Sequence, residues 1–472
     1  MQAIDSCKPR AGMLSPADDE AAGPAAVRTI EASFDNIARH RRILLLQGPN
    51  GPFFARLRDL LVGRGGLVTK VNFNGGDDLY YRGGDIVRFS DAMPAWEAYL
   101  RGLLQARRID AIVVFGSARR QHRIAARVAR ELGIAYWVFE EGYVRPDYIT
   151  LEAGGVNAES PLASVQLGAI PQAGRTTRPC RFKHAFGLMA WHSFWYFVAG
   201  RLGRGGYPHY RHHKPFTVPE LGRWLRAGYR KIRFRWQERD LRRRLLASDH
   251  PHFFMVALQV SSDSQIRQHS PWRRIEDFIE ATIHSFAWHA PPDSQLVLKH
   301  HPMDRGHTDY AVTIDAICAR YGVAERVFYL HDARLPSLLH RCVGLVTINS
   351  TTGLQALLHR VPVIALGRCF YDKPGLTFQG SLELFWSDPP AVDMRAFSRF
   401  RHYLLRVSQI NASFYADRPV SSRGVLSPRP SRLRQLPRRV LSVFCLVMAD
   451  AYSGRACNIG AVLDWLVQMA AG

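Results

Sequence analysis

Val138-Phe-Glu-Glu-Gly-Tyr-Val-Arg-Pro-Asp-Tyr-Ile-Thr-Leu-Glu152 is the stretch on which the fold of this chain turns. Before it come a run of helical periodicity, Gln121 to Gly133, and an apolar strand, Ala135 to Phe139. A helix followed by a buried strand is one step of a parallel α/β sheet. Glu140 and Glu141 stand where that strand should end. Gly142 lets the backbone turn, and Arg145-Pro146 argues against continuation as a helix. In an open α/β sheet, ligands bind in the crevice at the carboxyl ends of the strands. Two carboxylates side by side in such a place repel each other, which raises the proton affinity of one. A carboxylate so tuned suits proton abstraction or attack on carbon. The same residues also fit a pair of solvated turn acids, and by themselves they leave both readings open.

Upstream the pattern repeats. Arg42-Ile-Leu-Leu-Leu-Gln47 reads as a buried strand, Gly48-Pro-Asn-Gly-Pro52 as a loop, and Phe53 to Val62 as a helix. Such a strand, glycine-rich loop and helix can bring backbone N–H groups to a ligand, although this loop is neither GxGxxG nor a P-loop. A strand from Leu67 to Phe73 ends in the loop Asn74-Gly-Gly-Asp-Asp78, and Ile86 to Phe89 is a short strand. Helix Trp96 to Gln105, strand Ala111 to Phe115 and loop Gly116 to His122 lead back to the opening stretch. Residues 41–170 therefore read as one Rossmann-like domain, behind a flexible leader at 1–40.

Residues 171–250 change character. Trp191, Phe194, Trp195, Tyr196 and Phe197 precede Tyr229-Arg-Lys-Ile-Arg-Phe-Arg-Trp236 and Arg242-Arg-Arg244. Aromatics interleaved with cations suit an anionic membrane surface, with single-stranded nucleic acid as a second reading. A helical hairpin with core aromatics and solvated arginines fits the same composition. From 251 to 416 strand and helix alternate again, through Phe253 to Val260, Ile275 to Trp288, Gln295 to Pro302, Val327 to Leu330, Gly344 to Asn349 and Pro362 to Gly367. Residues 417–472 are a Pro/Arg-rich linker and an unassigned tail with apolar stretches at Val440 to Met448 and Ala461 to Met469.

Composition bounds the function. At 472 residues the chain has room for two domains, and 47% hydrophobic with 22% charged residues is globular. A formal net charge of +23 calls for an anionic partner: nucleic acid, an acidic bilayer or a charged substrate. The seven cysteines lie singly without CxxC spacing, which argues against zinc and a disulfide scaffold and fits a reducing compartment. Residues 1–20 lack the apolar core of a signal peptide. Ala185 to Gly200, the longest apolar stretch, contains His192 and falls short of the roughly 20 residues that a spanning helix needs. The expected location is cytoplasmic.

The second half carries its own candidates. Lys299-His300-His301-Pro302 closes one strand, and Ser350-Thr351-Thr352 sits where another strand meets a helix. Hydroxyls and free N–H groups at a helix start suit a phosphate. Two Rossmann-like halves facing a central cleft are the α/β architecture called GT-B among glycosyltransferases, and this chain adds a basic aromatic helical insert between them. A carboxylate pair before glycine, His-Pro and Ser-Thr together resemble GT-B enzymes that use CMP-activated keto sugars, bacterial sialyltransferases among them. More closely, the chain resembles the capsule polysaccharide synthesis/export family and its single-module S-type (KpsS/LipA-like) members. Gln47-Gly-Pro-Asn-Gly-Pro-Phe-Phe54, Asn72-Phe-Asn-Gly-Gly76, Phe139 to Asp147, Leu298-Lys-His-His-Pro-Met-Asp-Arg305 and Thr347-Ile-Asn-Ser-Thr-Thr-Gly353 carry the resemblance, across residues 41–416.

The resemblance implies a retaining β-Kdo transferase that uses CMP-β-Kdo and starts a poly-Kdo linker on a (lyso)phosphatidylglycerol-type lipid. It places the enzyme peripherally on the cytoplasmic face of the inner membrane, with the elongating β-Kdo transferase and the capsule ABC exporter as partners and no nucleic acid. Retention means two inversions through a covalent adduct, with Glu141 as nucleophile or base and Glu140 as its orienter, or the reverse. Lys299, His301, Ser350, Thr351, Thr352 and Gln259 are the expected donor-binding residues. Gln47, Gly48, Gly51, Asn72 and Arg145 are the expected cleft-loop residues. Asp77-Asp78 is not a DxD motif and CMP carries no pyrophosphate, so neither metal nor cofactor is expected. Another CMP-linked keto sugar and a non-enzymatic membrane scaffold are the competing readings.

Overall fold

The computed structural model describes residues 35–172, 179–182, 185–212, 218–261, 266 and 269–416. Most of the expected leader and the whole of the 417–472 linker and tail lie outside the described residues.

The first half is a seven-stranded sheet built on β1 (Arg42–Leu45), β2 (Leu67–Asn72), β3 (Asp85–Arg88), β4 (Ala111–Phe115), β5 (Ala135–Glu141) and β6 (Ile149–Ala153). The seventh strand, β12 (Gln409–Ile410), comes from the far end of the described chain, and the order is β12-β6-β5-β4-β1-β2-β3. Strands β1 to β5 are parallel, as the sequence predicts, whereas β6 and β12 add an antiparallel edge. Ile43, Leu44 and Leu45 are fully buried because helices cover both faces: α1 (Phe53–Gly63), α2 (Gly75–Tyr80), α3 (Trp96–Ala106) and α4 (Arg120–Leu132). Trp96 on α3 seals one face, its ring 5.1 Å from that of Phe73 and 4.9 Å from that of Phe89.

After the insert helices α5 (Ala185–Leu202), α6 (Val218–Gln237) and α7 (Arg239–Leu245), a second, fully parallel sheet forms. Its strands are β7 (Phe253–Ala257), β8 (Gln295–Lys299), β9 (Val327–Leu330), β10 (Cys342–Thr347) and β11 (Val363–Ala365), in the order β11-β10-β7-β8-β9. Helices α8 (Ile275–His289), α9 (Ala311–Tyr321), α10 (Leu335–Leu339), α11 (Thr352–Leu358) and α12 (Leu382–Ser387) alternate with or follow these strands. Helix α13 (Met394–Val407) then returns the chain to β12. Residues 409–416, expected in the second half, thus complete the first: Phe414 packs edge-on against Phe53 at 4.8 Å and Phe115 at 4.9 Å.

The insert is not a self-contained hairpin. Helix α5 lies on α2, where Gly75 and Gly76 leave no room for a Cβ beneath Ala199 and Tyr196. Helix α6 instead docks on the second half. Arg226 Nε donates to the Gly306 carbonyl at 2.8 Å, and Arg230 Nη1 to that of Arg305 at 3.1 Å. Glu238 accepts from the His331 and Asp332 amides, each at 3.0 Å, and Phe234 stacks on the His331 ring at 3.7 Å. The aromatics read as one cluster are therefore divided between the halves. The halves also touch directly, where Tyr143 stacks on Phe370 at 4.3 Å and Lys373 Nζ donates to the Ala163 carbonyl at 2.8 Å.

Candidate functional site

Glu140 and Glu141 form the last two rungs of β5, opposite Thr150 and Ile149 of β6. The hairpin depends on Gly142, because a Cβ there would overlap the Tyr148 backbone. The Glu140 carboxylate turns back to accept the Glu141 amide at 3.0 Å, and its other oxygen lies over Gly116 at the end of β4. Burial is the main force on it, pushing its pKa up to about 7. The Glu141 amide opposes that rise, the Glu141 charge adds to it, and Arg119 and Arg145 draw it down. The expected repulsion between the two acids is therefore real but secondary to desolvation. Glu141 is also raised by burial, with the Arg145 guanidinium opposing.

A raised carboxyl pKa means that ionisation of Glu140 costs folded-state stability. Stability present below the unfolded carboxyl pKa is lost as pH rises through about 7. Glu140→Gln is expected to melt at the wild-type temperature at pH 5 and at a higher one at pH 8. Equal melting temperatures at pH 8 would contradict the burial of this charge.

Arg119 and Tyr415 complete this corner, and neither stood out in the sequence. Arg119 precedes α4, donates to the Gly48 carbonyl at 3.3 Å, and is a charge felt by Glu140. The Tyr415 hydroxyl, raised first by burial, then feels Glu141, Arg119 and Glu140 in turn. A basic residue one step before a helix that follows a strand-end glycine was the available signal for Arg119. Tyr415 had none, since only the returning β12 brings it here.

Of the other first-half candidates, Arg145 bears on both carboxylates through its charge, and Gln47 and Asn72 are engaged in packing. Gln47 is fully buried, donating to Tyr196 and Tyr210 hydroxyls at 2.8 and 2.7 Å and accepting from Gln121 at 2.8 Å. Its expected place in the cleft is thus corrected: all its polar atoms are spent tying β1 to the insert and α4. Asn72 is likewise buried and donates to Asp78 at 2.8 Å. Gly48 packs on Phe54, Gly51 lies under His192, and Arg145 is exposed with its Nε on the Gly142 carbonyl at 3.3 Å.

In the second half Gln259 and Asn349 bond reciprocally, at 2.9 and 3.1 Å, joining the ends of β7 and β10. Ser350 Oγ donates to Thr352 Oγ1 at 3.0 Å and accepts from the Thr352 amide at 3.2 Å. Thr351 is the N-cap of the seven-residue α11 and makes no capping bond with its side chain. His301 is half-buried, and its Nδ1 accepts from the Met303 amide at 3.2 Å, which leaves the ring hydrogen on Nε2. Asp304 anchors that turn to the loop after β7, accepting from the Ser261 amide at 3.0 Å and from Thr308 at 2.6 Å.

Lys299 does not present its ammonium to a phosphate, as the sequence had suggested. It is 8 % exposed and donates to the His300 and His331 carbonyls at 2.8 and 3.1 Å, while burial lowers its pKa to about 8. As the last residue of β8 it faces the Glu238–His331 clamp. Among the described residues no group of His, Cys, Asp or Glu is placed to hold a metal ion, and no helix is long and apolar enough to cross a membrane.

Two Rossmann-type sheets, each with polar side chains gathered beyond the carboxyl ends of its parallel strands, define a protein of the GT-B class. The chain belongs to the family described as capsule polysaccharide biosynthesis protein, whose profile matches residues 110–415. It is 39% identical over 382 residues to the capsule polysaccharide export protein KpsS of Escherichia coli, covering 79% of this chain and 97% of that one. It is 40% identical over 384 residues to the capsule polysaccharide modification protein LipB of Neisseria meningitidis, covering 79% and 92%. Similar solved structures include KpsC, beta Kdo 2,7 transferase, of Thermosulfurimonas dismutans, at 13% identity, 78% and 92% coverage and a TM-score of 0.38. Anabaena HepE in complex with UDP-glucose follows at 14% identity, 78% and 96% coverage and a TM-score of 0.32.

Proposed function

We propose that this protein transfers β-Kdo, with retention, from CMP-β-Kdo to a (lyso)phosphatidylglycerol acceptor, starting the poly-Kdo linker of a capsular polysaccharide. The observation that carries the reading is the pair of carboxylates on the last two rungs of β5, both raised by burial but with unequal neighbours: Glu140, pushed up to about 7, feels the Glu141 amide and charge, Arg119 and Arg145, whereas Glu141 is opposed by Arg145 alone. Unequal neighbours divide the work of nucleophile and proton acceptor. Glu141 attacks the anomeric carbon as the bond to the CMP phosphate breaks. The acceptor hydroxyl then displaces Glu141, giving its proton to Glu140. The Nε2–H of His301 and the hydroxyls of Ser350 and Thr351 receive the departing phosphate. No divalent ion is needed for a leaving group with a single phosphate. The enzyme acts peripherally on the cytoplasmic face of the inner membrane, beside the elongating β-Kdo transferase and the ABC exporter.

The test is incubation of the purified protein with CMP-Kdo, generated in situ, and a fluorescent lyso-phosphatidylglycerol, read by mass spectrometry. Addition of Kdo, unchanged by EDTA, is the expected result. Transfer only to a Kdo-primed lipid would make the protein an elongating enzyme. No product from either acceptor, with folded protein, would overturn the Kdo reading.

A further inference from the structure

From Arg226 onward, helix α6 is inverted relative to an ordinary surface helix. It buries Lys231 at 8 % exposure and Phe234 at 9 %, and Glu238, just past its end, is buried at 9 %; Phe234 and Glu238 pack on His331 of the second half. To solvent it shows Tyr229 at 64 %, Ile232 at 56 % and Trp236 at 72 %. At 100° per residue these three span an arc of about 60°, opposite Lys231, Phe234 and Glu238. Burying charges while exposing a stripe of large apolar side chains is unfavourable in water unless another surface covers the stripe. The buried face is already committed to the second half through Glu238, Phe234 and the Arg226 and Arg230 bonds. The apolar face is therefore the one left for a partner. Exposed Arg233, Arg235 and Arg239 border it, in a chain whose formal net charge is +23. Helix α5, the more apolar of the two, instead turns Tyr196 inward to Gln47, Asn74 and Asp77.

We infer that the Tyr229–Ile232–Trp236 stripe is the surface by which the protein lies on an anionic bilayer. The three side chains enter the headgroup layer, and the bordering arginines meet lipid phosphates. The inference deepens the lipid-acceptor reading and rests on it for purpose, since α6 is bolted to the half that carries His301 and Ser350.

Full-length protein is sedimented with phosphatidylcholine vesicles, with and without phosphatidylglycerol, beside the triple variant Tyr229→Ser, Ile232→Ser, Trp236→Ser. Wild type is expected to bind the anionic vesicles, and the variant to bind at least about tenfold more weakly with an unchanged melting temperature. Equal binding by both proteins, or no binding by wild type, overturns the inference. So does a self-association that the variant abolishes while vesicle binding persists. Transfer to micellar lyso-phosphatidylglycerol is measured in parallel. Stripe-dependent vesicle binding without transfer would fail the Kdo reading and keep the surface, and transfer with stripe-independent binding would do the reverse.

Discussion

Glu141→Gln is expected to fold like the wild type and to lose transfer by about a thousandfold or more, because an amide of the same shape cannot form the glycosyl ester. The substitution leaves the backbone rungs to Ile149 intact, since these are main-chain pairings. Glu140→Gln should behave differently. It removes a proton acceptor, worth roughly a hundredfold or more, and with it any rise of activity as pH passes through about 7. Because it slows the second displacement most, intact-mass analysis of this variant with donor alone should show protein carrying one added Kdo. A folded Glu141→Gln protein with wild-type turnover would remove Glu141 from the chemistry. An adduct that persists in it would move the nucleophile to Glu140.

Gly142→Ala should be the most damaging small change in the first half. The new methyl would collide with the carbonyl oxygen and carbon of Tyr148, which are backbone atoms of the same hairpin and cannot swing aside. Relief means opening the pairing of Glu141 with Ile149, just where both carboxylates are positioned and where Tyr143 leaves the turn to stack on Phe370. A loss of about 3 kcal/mol or more is expected by denaturant unfolding, of the size that a buried steric clash produces, together with loss of transfer. Gly168→Ala, where nothing lies within 4 Å, is the matched control and should be close to neutral. A Gly142→Ala protein as stable as that control would show that the hairpin can relax.

The parallel strands were legible because helices bury both their faces and leave unbroken apolar runs. Their ends were not. Phe253 to Val260 looks like one strand, yet β7 stops at Ala257 because Gln259 leaves the ladder to bond Asn349. Asn74 to Asp78 looks like a glycine-rich loop, yet it is the start of α2, capped by the Asn74 side chain on the Gly76 and Asp77 amides. Its glycines serve a close crossing with α5, a tertiary demand that no local pattern displays. The carboxylate pair was readable from its position after an apolar strand. Lys299 misled because the last residue of a strand can face either side, and hydrogen-bonding carbonyls rather than a cleft awaited it. At two residues, β12 is too short to show any periodicity, so Tyr415 went unseen with it.

That late return also sets an order of events during translation. The cluster of Phe53, Phe115 and Phe139 closes only when Phe414 arrives, some three hundred residues after the strands it covers have left the ribosome. Domains of a nascent chain usually finish from the N-terminus onward. Here the half made first is completed last, by a strand that follows the whole of the second half in the chain. A ribosome that stalls anywhere before residue 409 leaves the first sheet with an open edge, β6, beside uncovered aromatics. Fragments of this protein cut between the halves should therefore be substrates for chaperones rather than folded domains.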